Sequence, residues 1–299
     1  MEKAVLKTLI YRDIFDYPLT IFEIHRWLIS RKANLRQVEV AVGRLVKNHK
    51  CKVQNGYHFL PGRSGTVSKR AERARQSKLY FRKAFLTSQL LKLIPWIKLV
   101  GISGGLAMEN AGRMDDIDLV LITSKKRLWI SRLLTLGILE LTGQRRKVSD
   151  SKVMAAGKVC CNLILEEDYL EQKNKNIYTV HEVLQMKVLW QRGNIYSKYL
   201  SDNEWVFKFL PNWVGSGIAR DPAILSLREA KRRGNLSSNQ DSYASLGMTL
   251  ENLAKRFQLK IMKKPKGKER IEKGALYFHP FDYSKDILKR YKLEIEKLK

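Results

Sequence analysis

The sequence predicts an α+β fold, and three stretches carry that prediction. Between residues 97 and 123 two β-branched apolar runs, Ile97–Ile102 and Ile117–Ile122, flank a small-residue turn, Ser103-Gly104-Gly105. Residues 1–62 show three helix-patterned segments, then Asn55-Gly56 between two short apolar runs, the strongest two-residue hairpin signal. From Tyr178 onward the apolar spacing turns helical, and Trp190, Tyr196, Tyr199, Trp205 and Trp213 supply an aromatic core. A chain of 299 residues that is 44% hydrophobic has room for two or three domains with buried cores. The expected division is an N-terminal domain over 1–62, a basic linker helix over 63–95, a core over 96–170 and a helical C-terminal region over 171–299.

The N-terminal elements follow from local signals. Lys3 to Phe15 carries apolar residues at helical spacing. Thr20 with Glu23 forms a capping box that opens a helix through Ile29, and Asn34 caps a third helix, Leu35 to Asn48. Two short strands, 51–54 and 57–60, then close on Asn55-Gly56. Three helices and a hairpin in this order resemble a winged helix-turn-helix domain. The resemblance implies that the third helix enters a DNA groove with the hairpin as wing. Its exposed candidates are Arg36, Gln37, Arg44 and Lys47, with Lys50 and Lys52 beside the wing. A module that only docks protein, or is purely structural, is the competing reading.

The core is read as strand 97–102, short helix 105–111, strand 116–123, helix 127–142 and strand 158–165. In Asp116-Ile117-Asp118 the carboxylates stand two residues apart on a strand, so they share a face. Two such acids repel and are costly to desolvate unless a cation lies between them, and hard oxygen donors suit Mg²⁺. The glycines of the preceding turn let backbone N–H groups approach an anion. Strand, Gly-Gly turn, short helix and Asp-x-Asp on the next strand resemble the DNA polymerase beta-type nucleotidyltransferase superfamily over about residues 96–125. The resemblance implies a mixed-sheet nucleotidyltransferase core. In it Asp116 and Asp118 would be the catalytic carboxylates and hold Mg²⁺, and Ser103, Gly104 and Gly105 would hold the phosphates of a nucleoside triphosphate.

Active members of that superfamily carry a third carboxylate on a later strand. Here the strand is Val159–Leu165, and the polar residue at its middle is Asn162, which cannot act as a base. Glu166, Glu167 and Asp168 at the strand end are the acids that could replace it. Two function classes follow: Mg²⁺-dependent transfer of a nucleotidyl group to an acceptor, with RNA as leading candidate, or a non-catalytic nucleic-acid-binding regulator built on a degenerate core.

Charge points to the same partners. The formal net charge is +28, and a field of that size favours polyanions such as RNA or DNA. Half of the excess lies in residues 1–95, which hold 20 basic and 6 acidic side chains. Lys69, Arg70, Arg73, Arg75, Lys78, Arg82 and Lys83 form a block on the linker helix. A segment over 215–246, rich in Gly, Ser, Asn and Arg, is expected to be a long loop, and Lys263–Lys268 a basic interruption before a terminal amphipathic helix.

Three cysteines, Cys51, Cys160 and Cys161, show no paired spacing, which suits reduced thiols used for packing in a cytoplasmic protein. Five scattered histidines argue against a histidine metal cluster, and His181 and His279 are read as structural. The N-terminus shows no signal-peptide pattern, and the apolar window 127–143 is interrupted by Arg127, Arg132 and Glu140, so no membrane association is expected.

Overall fold

The computed structural model describes residues 1–147, 149–213, 244–262, 270–278 and 283–297. The N-terminal unit comprises α1 (Glu2–Asp13), α2 (Ile21–Arg26), α3 (Leu35–Lys47) and the hairpin β1 (Lys52–Gln54)/β2 (Tyr57–Phe59). Both expected capping boxes are present: Thr20 Oγ1 accepts from Glu23 N while the Glu23 carboxylate accepts from Thr20 N, and Asn34 and Gln37 do the same. Asn55 and Gly56 both take positive φ, as a tight hairpin turn requires. Val5, Leu9, Ile24, Leu28, Val38 and Leu45 form the core of this unit.

The linker helix α4 (Gly65–Leu91) is a strut. Just before it Arg63 pairs with Asp13 at 2.8 Å, and in its first turns Lys69 pairs with Asp16 at 3.1 Å and Arg70 with Glu23 at 2.6 Å, so two bases expected to await a polyanion, Lys69 and Arg70, fasten α4 to the N-terminal unit. At its far end Ala84 and Leu91 join the buried cluster around Ile97 and Trp129. Arg75, Lys78 and Arg82 remain exposed.

The six-stranded mixed sheet runs β6-β3-β4-β5-β8-β7, with β3 (Ile97–Ile102), β4 (Ile117–Thr123), β5 (Val159–Glu166), β6 (Lys187–Gln191), β7 (Arg270–Glu272) and β8 (Ala275–Tyr277). Only the β4–β5 pair is parallel, joined through α6 (Leu128–Leu141) and α7 (Lys152–Ala155). A short helix, α5 (Gly104–Ala107), follows β3. Among the described residues the remaining helices are α8 (Ile177–Gln185), α9 (Ile195–Asp202), α10 (Ala244–Ile261) and α11 (Tyr283–Glu296), with a 3₁₀ turn at Glu204–Lys208.

Alternation along the strands explains the two layers. Ile117, Leu119 and Leu121 face α4, α6 and α10, whereas Val120 and Ile122 face α8, α9 and α11. Asp118 belongs to the second face, at the end of the strand where that layer stops being apolar.

The region beyond residue 171 is not purely helical, contrary to expectation: it contributes three of the six strands. The helical pattern read through Trp190 ends at Met186, and 187–191 pairs with the free side of β3, where the backbone groups of both strands are satisfied. Strands β7 and β8 are three residues each around Gly274 and are too short for periodicity to reveal. The expected loop over 215–246, apart from its last residues, the Lys263–Lys268 cluster and His279 lie outside the described residues. Among the described residues no helix is long and apolar enough to cross a membrane.

Candidate metal and nucleotide site

Register brings the turn and the acids together. In the antiparallel β3–β4 pair Ile102 opposes Leu119, so Ser103 N–H donates to the Asp118 carbonyl at 3.0 Å and the glycine turn begins beside the Asp118 side chain. Gly104 has φ +63°, and a Cβ there would lie 2.5 Å from Asp118 Oδ2. Glycine is therefore required twice over, by backbone conformation and by the carboxylate against it. Ser103, Gly104, Gly105, Asp116 and Asp118 all line one cavity of about 320 Å³.

Across the sheet, Asp118 pairs with Cys160 in the parallel β4–β5 register, and the register then shifts so that Leu119 opposes Cys161 while Val120 opposes Leu163. Asn162 is the extra residue, and such a bulge re-aims a side chain. Its Nδ2 donates to Asp118 Oδ1, and the Cys160 thiol donates to Asn162 Oδ1 at 2.8 Å. Asp116, Asp118 and Cys160 offer ligand atoms that all lie within 4.8 Å of one another.

The electrostatics are those of a site short of positive charge. Burial raises the Asp118 carboxyl well above its ordinary range, reinforced by Asp116 and Glu182 and opposed by Arg146. Burial also raises Asp116, against the pull of Arg146. Arg146 Nη1 lies 2.9 Å from Asp116 Oδ2, yet that buried oxygen has no hydrogen bond of good geometry. A divalent cation would meet both needs.

Mg²⁺ fits the carboxylates, which are hard donors, with Asp116 Oδ2 making no hydrogen bond beyond its ion pair with Arg146. Cys160 is a poor candidate ligand. Burial and then the Asp118 charge push its thiol up, so the proton stays on sulfur, where Asn162 accepts it. Expected to be simple packing, Cys160 instead orients the amide that holds Asp118, while Cys161 is buried in the core.

The acids proposed to replace Asn162 do not reach the site. Glu166 pairs in register with Thr123, at the far end of β5 from Cys160, about 20 Å away at strand rise. Glu167 is held by Lys98 and accepts from Lys125 N, and Asp168 pairs with Lys125. Besides Asp115, Asp116 and Asp118, the acid that lines the cavity is Glu182, on α8, whose carboxyl is pushed up to about 7 by burial. Sequence reasoning passed over it because it sits in an apolar helical stretch with no motif. Its only signal is that it is the one Asp, Glu, Lys or Arg in the helical stretch Ile177–Gln185.

The N-terminal candidates are exposed. Arg36, Arg44 and Lys47 are exposed on α3, and Lys52 is exposed on β1. Arg44 approaches Glu2 at 3.9 Å, a solvent-exposed contact that leaves its charge available. His181, read as structural, is buried and stacks on Tyr11 at 4.2 Å.

No family model matches this chain, and no curated protein matches it. A solved structure described as a toxin-antitoxin with AMP-PNP matches at a TM-score of 0.24 and 15% identity, covering 49% of this chain and 94% of that one. A likeness of that size carries no weight for the chemistry.

Proposed function

We propose that this chain is a Mg²⁺-dependent nucleotidyltransferase of the DNA polymerase beta type, with a winged helix at its N-terminus and RNA as its leading acceptor. The observation that carries the reading is the packing of Gly104 against Asp118: the phosphate-holding turn and the paired carboxylates are a single site. Ser103, Gly104 and Gly105 hold the triphosphate, and Asp116 and Asp118 hold the metal. When bound there, Mg²⁺ neutralises charge on the transferred and leaving phosphates.

The acceptor hydroxyl forms a bond to the α-phosphorus, the α–β bridging bond breaks, and pyrophosphate leaves. Glu182 takes the hydroxyl proton. Its carboxyl, raised to about 7, titrates near neutral pH, where a general base works best. Asn162 holds Asp118 in place and carries no proton. Arg146 acts as the counter-ion of Asp116 until the cation arrives.

A second reading, a non-catalytic nucleic-acid-binding regulator, draws on the same contacts: Arg146 and Asn162 already satisfy part of both carboxylates. Incubation with α-labelled nucleoside triphosphates, Mg²⁺ and total RNA or cell extract decides between them. Label transferred by wild type and lost in Glu182→Gln supports the transferase. Nucleotide binding without transfer supports the regulator.

A further inference from the structure

A second cavity, of about 810 Å³, lies between the N-terminal unit and the core and adjoins the acidic one, since Met108 and Gln185 line both. Its chemistry is of opposite sign. Arg12, at the end of α1, is 1% exposed, yet its guanidinium hydrogen-bonds only to neutral groups, and the acid that acts on it, Glu23, does so through space. With the Gln185 amide turned so that its oxygen faces the guanidinium, that oxygen lies at 2.6 and 3.1 Å, His181 Nδ1 lies at 3.3 Å, and Arg12 Nε has no hydrogen-bond partner. The acids of this cavity are already committed, Glu23 to Arg70 and Glu109 to Lys187.

A buried guanidinium with no counter-charge bonded to it is costly to keep, and a phosphate would supply that charge through paired N–H···O bonds. Aromatic rings stand around it. Arg12 lies 4.5 Å over the Trp27 ring, and Tyr196 and Trp213 complete the wall. A guanidinium for the anion and ring faces for the base are what a nucleoside phosphate needs. The volume is within the range of pockets that enclose such ligands.

We propose that this cavity binds a nucleoside phosphate, its phosphate on Arg12 and its base against Trp27, Tyr196 and Trp213, and serves as the acceptor cleft. Its role as acceptor cleft rests on the nucleotidyl-transfer reading. The binding itself does not. The ligand is either a free nucleoside monophosphate or the terminal nucleotide of a single strand, and both present the same chemistry.

The test uses the full chain carrying Asp116→Asn and Asp118→Asn, in EDTA, so that the acidic site takes no part. Tryptophan fluorescence follows titration with uridine 5′-monophosphate, uridine, and a uridine hexanucleotide with or without a terminal phosphate. Phosphate-dependent binding that falls about tenfold or more on adding Arg12→Gln supports the cleft, as expected when a charge-assisted pair is removed. Binding of the monophosphate alone assigns a free nucleotide, and stronger binding of the hexamer assigns a strand end.

Should Arg12→Gln fail to fold, Val188→Asp, which sets a carboxylate in the wall of this cavity only, must weaken the same binding. The proposal is overturned if none of these probes binds, if uridine binds as well as its monophosphate, or if the variants bind like the parent. Loss of label transfer with this binding intact would instead strike the transferase reading.

Discussion

A methyl group at residue 104 would end the acidic site, because it must share space with Asp118 Oδ2 and hold a left-handed backbone. Gly104→Ala should therefore cost about 1–3 kcal/mol of stability, read by urea denaturation, and abolish Mg²⁺-dependent nucleotide binding. Gly137→Ala, at a helical glycine with open space around it, should gain or lose less than about 1 kcal/mol. Glu182 makes a prediction in pH. Its folded carboxyl titrates at about 7 against an ordinary 4.5, so the folded chain retains this proton where the unfolded chain has released it. Stability from this group is present below pH 4.5 and is lost as pH rises to about 7. The loss is up to about 3 kcal/mol. Melting of the metal-free protein should fall across that window, and Glu182→Gln should flatten the fall. An unchanged slope in the variant would deny Glu182 its buried environment.

At the scale of elements, α6 begins beneath α10, and the Glu251 carboxylate accepts from Trp129 N and Ile130 N at 2.8 and 2.9 Å. A tertiary acid thus does the work of an N-cap. Glu251→Ala should cost about 1–2 kcal/mol, with hydrogen exchange rising first at the start of α6. This contact spans 122 residues of sequence and leaves no local mark, which is why helix 127–142 was legible but its cap was not. The same contrast holds across the fold. The capping boxes at Thr20 and Asn34, the Asn55-Gly56 hairpin and strands β3, β4 and β5 carry their signals within a few residues, and each lies within a few residues of its expected bounds. Strand β6 does not, because Lys187–Gln191 reads equally as helix until the open edge of β3 claims it. In the site, the acids and the glycine turn could be read from spacing. Glu182 and Arg146 could not, since each is brought in by packing between elements distant in sequence.

At the scale of the whole molecule, the charge of +28 is only partly free to act. Ion pairs from Arg63, Lys69 and Arg70 are spent holding α4 to the N-terminal unit. Arg36, Arg44, Lys47 and Lys52 remain exposed. If these meet phosphates, binding of the full chain to RNA or DNA should weaken steeply with salt. Arg44→Glu with Lys47→Glu should lower affinity across many sequences and reduce the salt slope by about one for each phosphate no longer neutralised. A flat salt dependence would make the N-terminal unit a structural or protein-docking module. The central claim concerns the carboxylates beside the glycine turn, and calorimetric titration of a nucleoside triphosphate with Mg²⁺ or with EDTA tests it most directly. Wild type should bind only with Mg²⁺, and Asp118→Ala should lose that binding while melting no lower than wild type in EDTA, because removing one of two repelling acids relieves the metal-free site. Equal binding with and without Mg²⁺, or undiminished binding in Asp118→Ala, would contradict the account.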